Sequence, residues 1–192
     1  MANLSRPSGL KLAKSVVGGA AKGQIETFAV LASDGTALFV GDIVKSAGTA
    51  DANGVQAITR ITANTDLPLG VIVGFAVDQT NLNLPSQYRL ASTLRYALVS
   101  VDPTAVYEVQ ATGTTVVADV GLNAGVTFTA GSTSTGISGM ELDATTKAAT
   151  ATLPLKIIGW VQRPDVDVTD GTNMKVHVLL NTANLGGGTA GL

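Results

Sequence analysis

Apolar and polar residues alternate along much of this chain with a period of two. In 105–111, Tyr107 and Val109 project to one side and Glu108 and Gln110 to the other. In 174–180, Met174, Val176, Val178 and Leu180 share a face opposite Lys175 and His177. That period marks half-buried strands, because successive side chains leave a strand on opposite sides. Runs rich in Val, Ile and Thr predict further strands at 25–32, 37–44, 55–62, 69–77, 94–101, 114–118 and 155–162. No stretch of fifteen residues keeps a 3.6-residue period free of Gly or Pro, so long helices are not expected. The predicted fold class is all-β: an antiparallel β-sandwich or barrel-like domain, with an extended N-terminal arm and a flexible C-terminal tail.

Turn chemistry refines the pattern. Asp34-Gly35 separates 25–32 from 37–44 and predicts a type I′ hairpin between them. Asp102-Pro103 and Asp170-Gly171 mark two further turns. Two segments rhyme: Leu67-Pro68-Leu69-Gly70-Val71-Ile72-Val73-Gly74-Phe75 and Leu153-Pro154-Leu155-Lys156-Ile157-Ile158-Gly159-Trp160. They differ by one residue between LPL and the glycine, and a one-residue slip reverses every side chain in a sheet. The rhyme therefore reads as shared strand grammar in preference to duplication.

The ends depart from the pattern. Residues 1–24 hold Pro7, four glycines and no strong period, and read as an extended arm. Residues 25–182 form the β-rich domain. Within it, 124–152 is rich in Gly, Ser, Thr and Ala, which predicts a long loop or an excursion with short strands. The Gly-rich segment 183–192 reads as a tail that is flexible or orders only against a neighbour.

Composition turns attention from chemistry to assembly. The 192 residues are 45% hydrophobic but only 14% charged, against about 25% in ordinary soluble domains. A surface so poor in charge fits one that faces other protein. There is no cysteine and one histidine, which removes most zinc sites and the commonest general base. His177, opposite the apolar face of its strand, reads as a surface or interface residue. The net charge of −2 gives no field for nucleic acid or anionic lipid. The charge is sorted, however: Arg6, Lys11, Lys14 and Lys22 precede the first acid, Glu26. Lys11 and Lys14 also interrupt the apolar run 10–21, so no secretory leader is expected there. The charge-free stretch 120–140 is too polar to cross a bilayer.

Candidate chemistry is thin. Gly136-Ile137-Ser138-Gly139 lacks the spacing of a nucleophile elbow, and Gly18–Gly23 lacks the lysine-hydroxyl ending of a phosphate loop. Asp165, Asp167 and Asp170 lie in a tight acidic turn, yet no glutamate stands at loop position twelve, so a polar turn is preferred over a calcium loop. Neither catalysis nor a cofactor or metal is expected. Trp160 fits either a core position or the centre of an interface.

Several segments carry a resemblance. Phe39-Val40-Gly41-Asp42-Ile43-Val44, then Leu69-Gly70-Val71-Ile72-Val73-Gly74, is similar to a recurring pattern in tailed-phage virion proteins. So are Val101-Asp102-Pro103 ahead of Val106-Tyr107-Glu108-Val109-Gln110, and the closing Lys175-Val176-His177-Val178-Leu179-Leu180-Asn181. Together they resemble the decoration, or cement, proteins of bacteriophage capsids, from about Arg6 to Asn181. The resemblance implies a β-rich homo-oligomer, often a trimer, made in the host cytoplasm and bound to the major capsid protein on the exterior of the virion. Nucleic acid and membrane are not among the partners it implies. An arm of that kind carries the partner contacts, here Arg6, Pro7, Leu10, Lys11, Lys14 and Lys22, and its removal is expected to leave the β-rich body folded. The alternatives are a tail-tube, head-fibre or adaptor component of the virion, or a secreted adhesin or carbohydrate-binding module.

Overall fold

The computed structural model describes residues 3–17, 24–78, 81–85, 87–169 and 171–181. The fold is all-β among these, with a single 3-10 turn at Val117–Asp119. The first strand, β1, is Lys11–Ser15. Then follow β2 (Ile25–Val30), β3 (Leu38–Phe39), β4 (Ile43–Ala50), β5 (Gln56–Arg60), β6 (Gly70–Phe75), β7 (Tyr88–Arg89) and β8 (Arg95–Ser100). The remainder are β9 (Ala105–Thr112), β10 (Thr114–Thr115), β11 (Asn123–Thr127), β12 (Glu141–Ala148), β13 (Leu155–Trp160), β14 (Gly171–Thr172) and β15 (Lys175–Leu180).

The strands close two rings. Barrel 1 runs β2-β5-β4-β6-β8 and returns to β2. Barrel 2 runs β9-β12-β11-β13-β15 and returns to β9, with β1 added on the outer edge of β9. The two rings have the same topology. In each, the first strand pairs in parallel with the third (β2 with β5, β9 with β12), and every other pairing is antiparallel. Each also carries a small antiparallel flap, β3 with β7 and β10 with β14, made from the segments before its second and fifth strands.

This equivalence overturns the reading of the rhymed segments as strand grammar alone. They form β6 and β13, which hold the same place in the two rings. Both strands carry a register shift at the same residues. In β6 it falls between Ile72 and Gly74, opposite Val99 and Leu98; in β13 it falls between Ile157 and Gly159, opposite Val178 and His177. The one-residue difference is absorbed ahead of that bulge, so Ile-x-Gly-aromatic stays in register and no facing is reversed. Gly70 takes the place of Leu155, opposite Val44 as Leu155 is opposite Ala124, and an added Cβ there would lie 2.3 Å from the Ser100 carbonyl oxygen.

Two cores result. Phe28, Val30, Val44, Ile58, Ile72, Ala97 and Val99 fill barrel 1. Tyr107, Val109, Leu142, Leu155, Ile157, Val176 and Val178 fill barrel 2. Ile43 and Val71, on strands of barrel 1, and Ile61, just past β5, belong to the second cluster. Hence the start of β4 and the start of β6 bury both faces, which is why 37–44 and 69–77 read as continuous apolar runs instead of alternating ones. Burying both faces also joins the barrels into one packed unit.

Asp34-Gly35 does not make the expected hairpin. β2 lies between β8 and β5 and pairs with neither β3 nor β4. Neither Asp34 nor Gly35 has the positive φ that a type I′ turn requires. The loop is held from inside instead. The buried Arg89 guanidinium donates to the carbonyl oxygens of Leu31 (2.7 Å), Thr36 (2.5 Å) and Thr93 (2.8 Å). The expected strand 37–44 is also broken, at Gly41 (φ +94°), where Asp42 turns back to accept the Phe39 N–H at 2.8 Å.

The small-residue segment 124–152 supplies barrel wall. β11 and β12 form two adjacent strands of barrel 2, and only the connection between them is a loop. That loop crosses to barrel 1, where Val40 and Ile137 form a β-bridge. The segment 183–192, expected to be a flexible tail, lies outside the described residues.

Candidate partner-binding site

Residues 3–17 are extended, as the arm reading has it, but they are fastened along their length. Asn3 exchanges two 2.9 Å hydrogen bonds with the Asp167 backbone. The Arg6 N–H donates to Gln110 Oε1 (2.7 Å), and Gln110 in turn donates to Glu141 Oε1 (2.6 Å). Gly9 must be glycine: its φ is +61°, and a Cβ would lie 2.6 Å from the Ser138 Cβ. The Leu10 N–H donates to the Gly41 carbonyl and the Val16 N–H to the Thr104 carbonyl, both at 3.0 Å. This segment is therefore part of the folded body. Leu10 is 2% exposed in the barrel 2 core. It is a core residue and not an exposed contact, which corrects its assignment; removing 1–24 would take this side chain out of the barrel 2 core.

Arg6, Pro7, Lys11 and Lys14 are exposed on the fastened segment, and Lys22 lies outside the described residues. Spaced three apart on a regular strand, Lys11 and Lys14 would point to opposite faces. The structure places them together. β1 pairs Lys11 with Glu108, Leu12 with Tyr107, Lys14 with Val106 and Ser15 with Ala105, with a register shift between Leu12 and Lys14. The bulged residue is Ala13, and the shift turns Lys14 onto the face of Lys11 and Glu108. Leu12, opposite Tyr107, packs on the core. Only the pairing with β9 reveals this, so no signal in the sequence marks it.

That face is the wall of a groove of 590 Å³ on the outside of barrel 2. Its floor is the cross-strand pair Glu108–His177, and its far wall is the end of β13 with the segment to Arg163. Arg163 spans the groove as a fork on Glu108 (2.7 and 2.9 Å) and also reaches Asp165 (3.0 Å). These carboxylate bonds raise the Arg163 pKa above its ordinary value, and the Arg163 bond holds Asp165 below the usual carboxylate range. Burial, with Lys14 adding to it, lowers the pKa of His177. As expected, His177 is opposite the apolar face: Met174, Val176, Val178 and Leu180 are all buried. Trp160 packs partly on the core and also lines the groove; its indole N–H is buried without an acceptor.

The acidic turn gives its oxygens to protein groups. Asp165 meets Arg163 and Lys175, and Asp167 accepts from the Thr169 hydroxyl at 2.8 Å; Asp170 lies outside the described residues. Among the described residues no three His, Asp or Glu side chains stand where they would hold a metal ion.

A second polar cluster, which sequence reasoning missed, lies between the barrels. Asp42 accepts from Ser138 Oγ (2.6 Å), and its carboxylate is 3.7 Å from Arg60 Nε. Burial raises the Asp42 pKa; the Ser138 bond and Arg60 oppose that shift. Arg60 also donates to the Thr129 carbonyl (2.6 Å). The cluster ties barrel 1 to the loop between β11 and β12 and has the features of a structural clamp: every group faces protein.

Comparison with known proteins finds no matching family, no matching curated protein and no matching solved structure.

Proposed function

We propose that this chain is a structural protein of a phage virion that binds the assembled capsid from outside and stabilises it. The resemblance set out above names the partner, the major capsid protein. The observation that carries the reading furthest is the fastened N-terminal segment: it presents Arg6 and Pro7 ahead of β1, and Lys11 and Lys14 on it, along a backbone that is already ordered. An ordered contact strand loses little conformational entropy on binding, which favours affinity. Exposed Val16 and Val17 continue from it and offer apolar area to the same partner. The two barrels share packed side chains, so a load on one is carried into the other.

The mechanism is linkage. A protein that binds the expanded shell and not its open form stabilises that shell by about 2.7 kcal/mol per site at a hundredfold excess over Kd. Association into trimers would add avidity, since each copy holds its neighbours near further sites. The chain would act without cofactor or catalysis.

The test is co-sedimentation with purified heads of the phage concerned, expanded and unexpanded. Saturable binding to expanded heads, with a raised temperature of head disruption, is expected. Equal binding to both forms, or to neither, overturns the reading. Unaided assembly into rings or tubes would point to a tail component, and saturable hits on a glycan array to an adhesin.

A further inference from the structure

The groove on barrel 2 has features that the fold alone does not require. A row crosses its sheet from Lys11 through Glu108 and His177 to Gly159. The equivalent row on barrel 1 is Thr27, Leu98 and Gly74, with no strand at the place of β1 among the described residues. The same topology thus carries a neutral row in one barrel and a charged one in the other.

The charge in the groove is unbalanced. Glu108, the acid on its floor, is already neutralised by the Arg163 fork. Lys11 and Lys14, brought to one wall by the bulge at Ala13, make no ion pair among the described residues. Beside His177, Gly159 leaves open space: a Cβ there would meet nothing within 4 Å, and its φ is not positive. Gly74 holds the same place in barrel 1, so the glycine belongs to the shared strand pattern; in barrel 2 it leaves the row beside His177 without a further side chain.

We propose that this groove binds an extended acidic segment of a partner protein, with carboxylates on Lys11 and Lys14 and the chain laid over Gly159. The proposal rests on the shell-binding reading only for the identity of that partner. Charge complementarity selects the ligand class. Two free cations match two or so carboxylates of a peptide. A nucleic-acid strand asks for a longer basic track and for stacking platforms, and among the described residues Trp160 is the only Phe, Tyr or Trp lining the groove.

Trp160 is also the only tryptophan, so its emission reports on the groove. The full chain is titrated with a glutamate-rich decapeptide at low salt. A saturable change in emission is expected. Lys14→Glu should weaken it about tenfold or more, whereas Lys156→Glu, the same charge change outside the groove, should leave it within about twofold. Gly159→Gln fills the floor without changing charge and should also weaken binding. Circular dichroism checks that each variant folds. Equal weakening by Lys14→Glu and Lys156→Glu, unchanged binding by Gly159→Gln, or tighter binding of an oligonucleotide than of the peptide would each overturn the proposal. Head co-sedimentation separates the two readings. Peptide binding without head binding leaves the groove standing and removes the shell; head binding by Lys14→Glu at full strength, without peptide binding, does the reverse.

Discussion

In barrel 1 the cross-strand pair Ile43–Val71 is fully buried against the other barrel. In barrel 2 the pair at the same place in the ring is Asn123–Lys156, and Lys156 is exposed. One backbone plan therefore carries an adhesive face in its first copy and a polar face in its second. Repeated units need such polar ends, because an apolar stacking face left open would recruit further copies. The difference leaves barrel 2 without the apolar face by which barrel 1 stacks. A second difference concerns the edge of the first strand in each ring. β1 covers that edge on β9, whereas on β2 the exposed residues Ile25, Glu26 and Thr27 have no strand on that side among the described residues.

The largest effect is expected from giving barrel 1 the polar residue of barrel 2. Val71→Lys buries an unpaired cation between the barrels and should cost more than about 4 kcal/mol in urea unfolding. A near-neutral result would mean that the barrels do not share a core. Next come two aspartates that close turns in the same way, at different places in the two rings. Asp42 and Asp119 each accept the N–H three residues back, at 2.8 Å, from Phe39 and Val116. Asp42 goes on to Ser138 and Arg60 between the barrels, and Asp119 to Lys147 within barrel 2. Asp42→Ala should cost about 3–5 kcal/mol, since it strands a buried guanidinium. Asp119→Ala should cost less, about 1–3 kcal/mol. Equal losses would erase the distinction between an inter-barrel clamp and a local turn.

Leu10→Ala tests whether the N-terminal segment belongs to barrel 2. A loss of about 2–5 kcal/mol is expected, and an exposed arm would show almost none. The reverse exchange on barrel 2, Asn123→Ile with Lys156→Val, should leave stability nearly unchanged. It should instead produce concentration-dependent association by light scattering; a strictly unchanged mass would contradict the role given to this face. The smallest effect concerns pH. The folded His177 pKa lies below 6.5, so as pH falls through 6.5 the unfolded chain takes up a proton before the folded chain does. Stability contributed by neutral His177 is thus full above that value and declines as pH falls towards the folded pKa. His177→Leu, borrowing the Leu98 of barrel 1, should flatten this part of the stability profile; an unchanged slope would assign it to another group.

Particular residues show how far the chain could be read unaided. The alternation around Tyr107 and Val176 identified β9 and β15, because one face of each meets a core. The apolar runs at 37–44 and 69–77 located the start of β4 and β6 but hid that both faces are buried there. β11 and β12 were legible only as a long loop or an excursion with short strands, because Ala124, Gly125 and Ala144 look like loop composition while lying in the barrel wall. The Asp34-Gly35 dipeptide misled, because a turn preference worth a fraction of a kcal/mol yields to the carbonyls that Arg89 binds across the loop. The four early cations were visible at once, and their arrangement was not.

The all-β class, the positions of most long strands and the basic start of the chain are properties of local order: side-chain period, turn residues and charge counts. Which strands pair, that ten of them close two equivalent rings, and that Lys11 and Lys14 share a wall are not. Backbone hydrogen bonds carry no residue identity, so pairing is chosen by burial summed over partners distant in sequence. A single bulged alanine then reversed the facing of Lys14, and only the strand beside it could decide that.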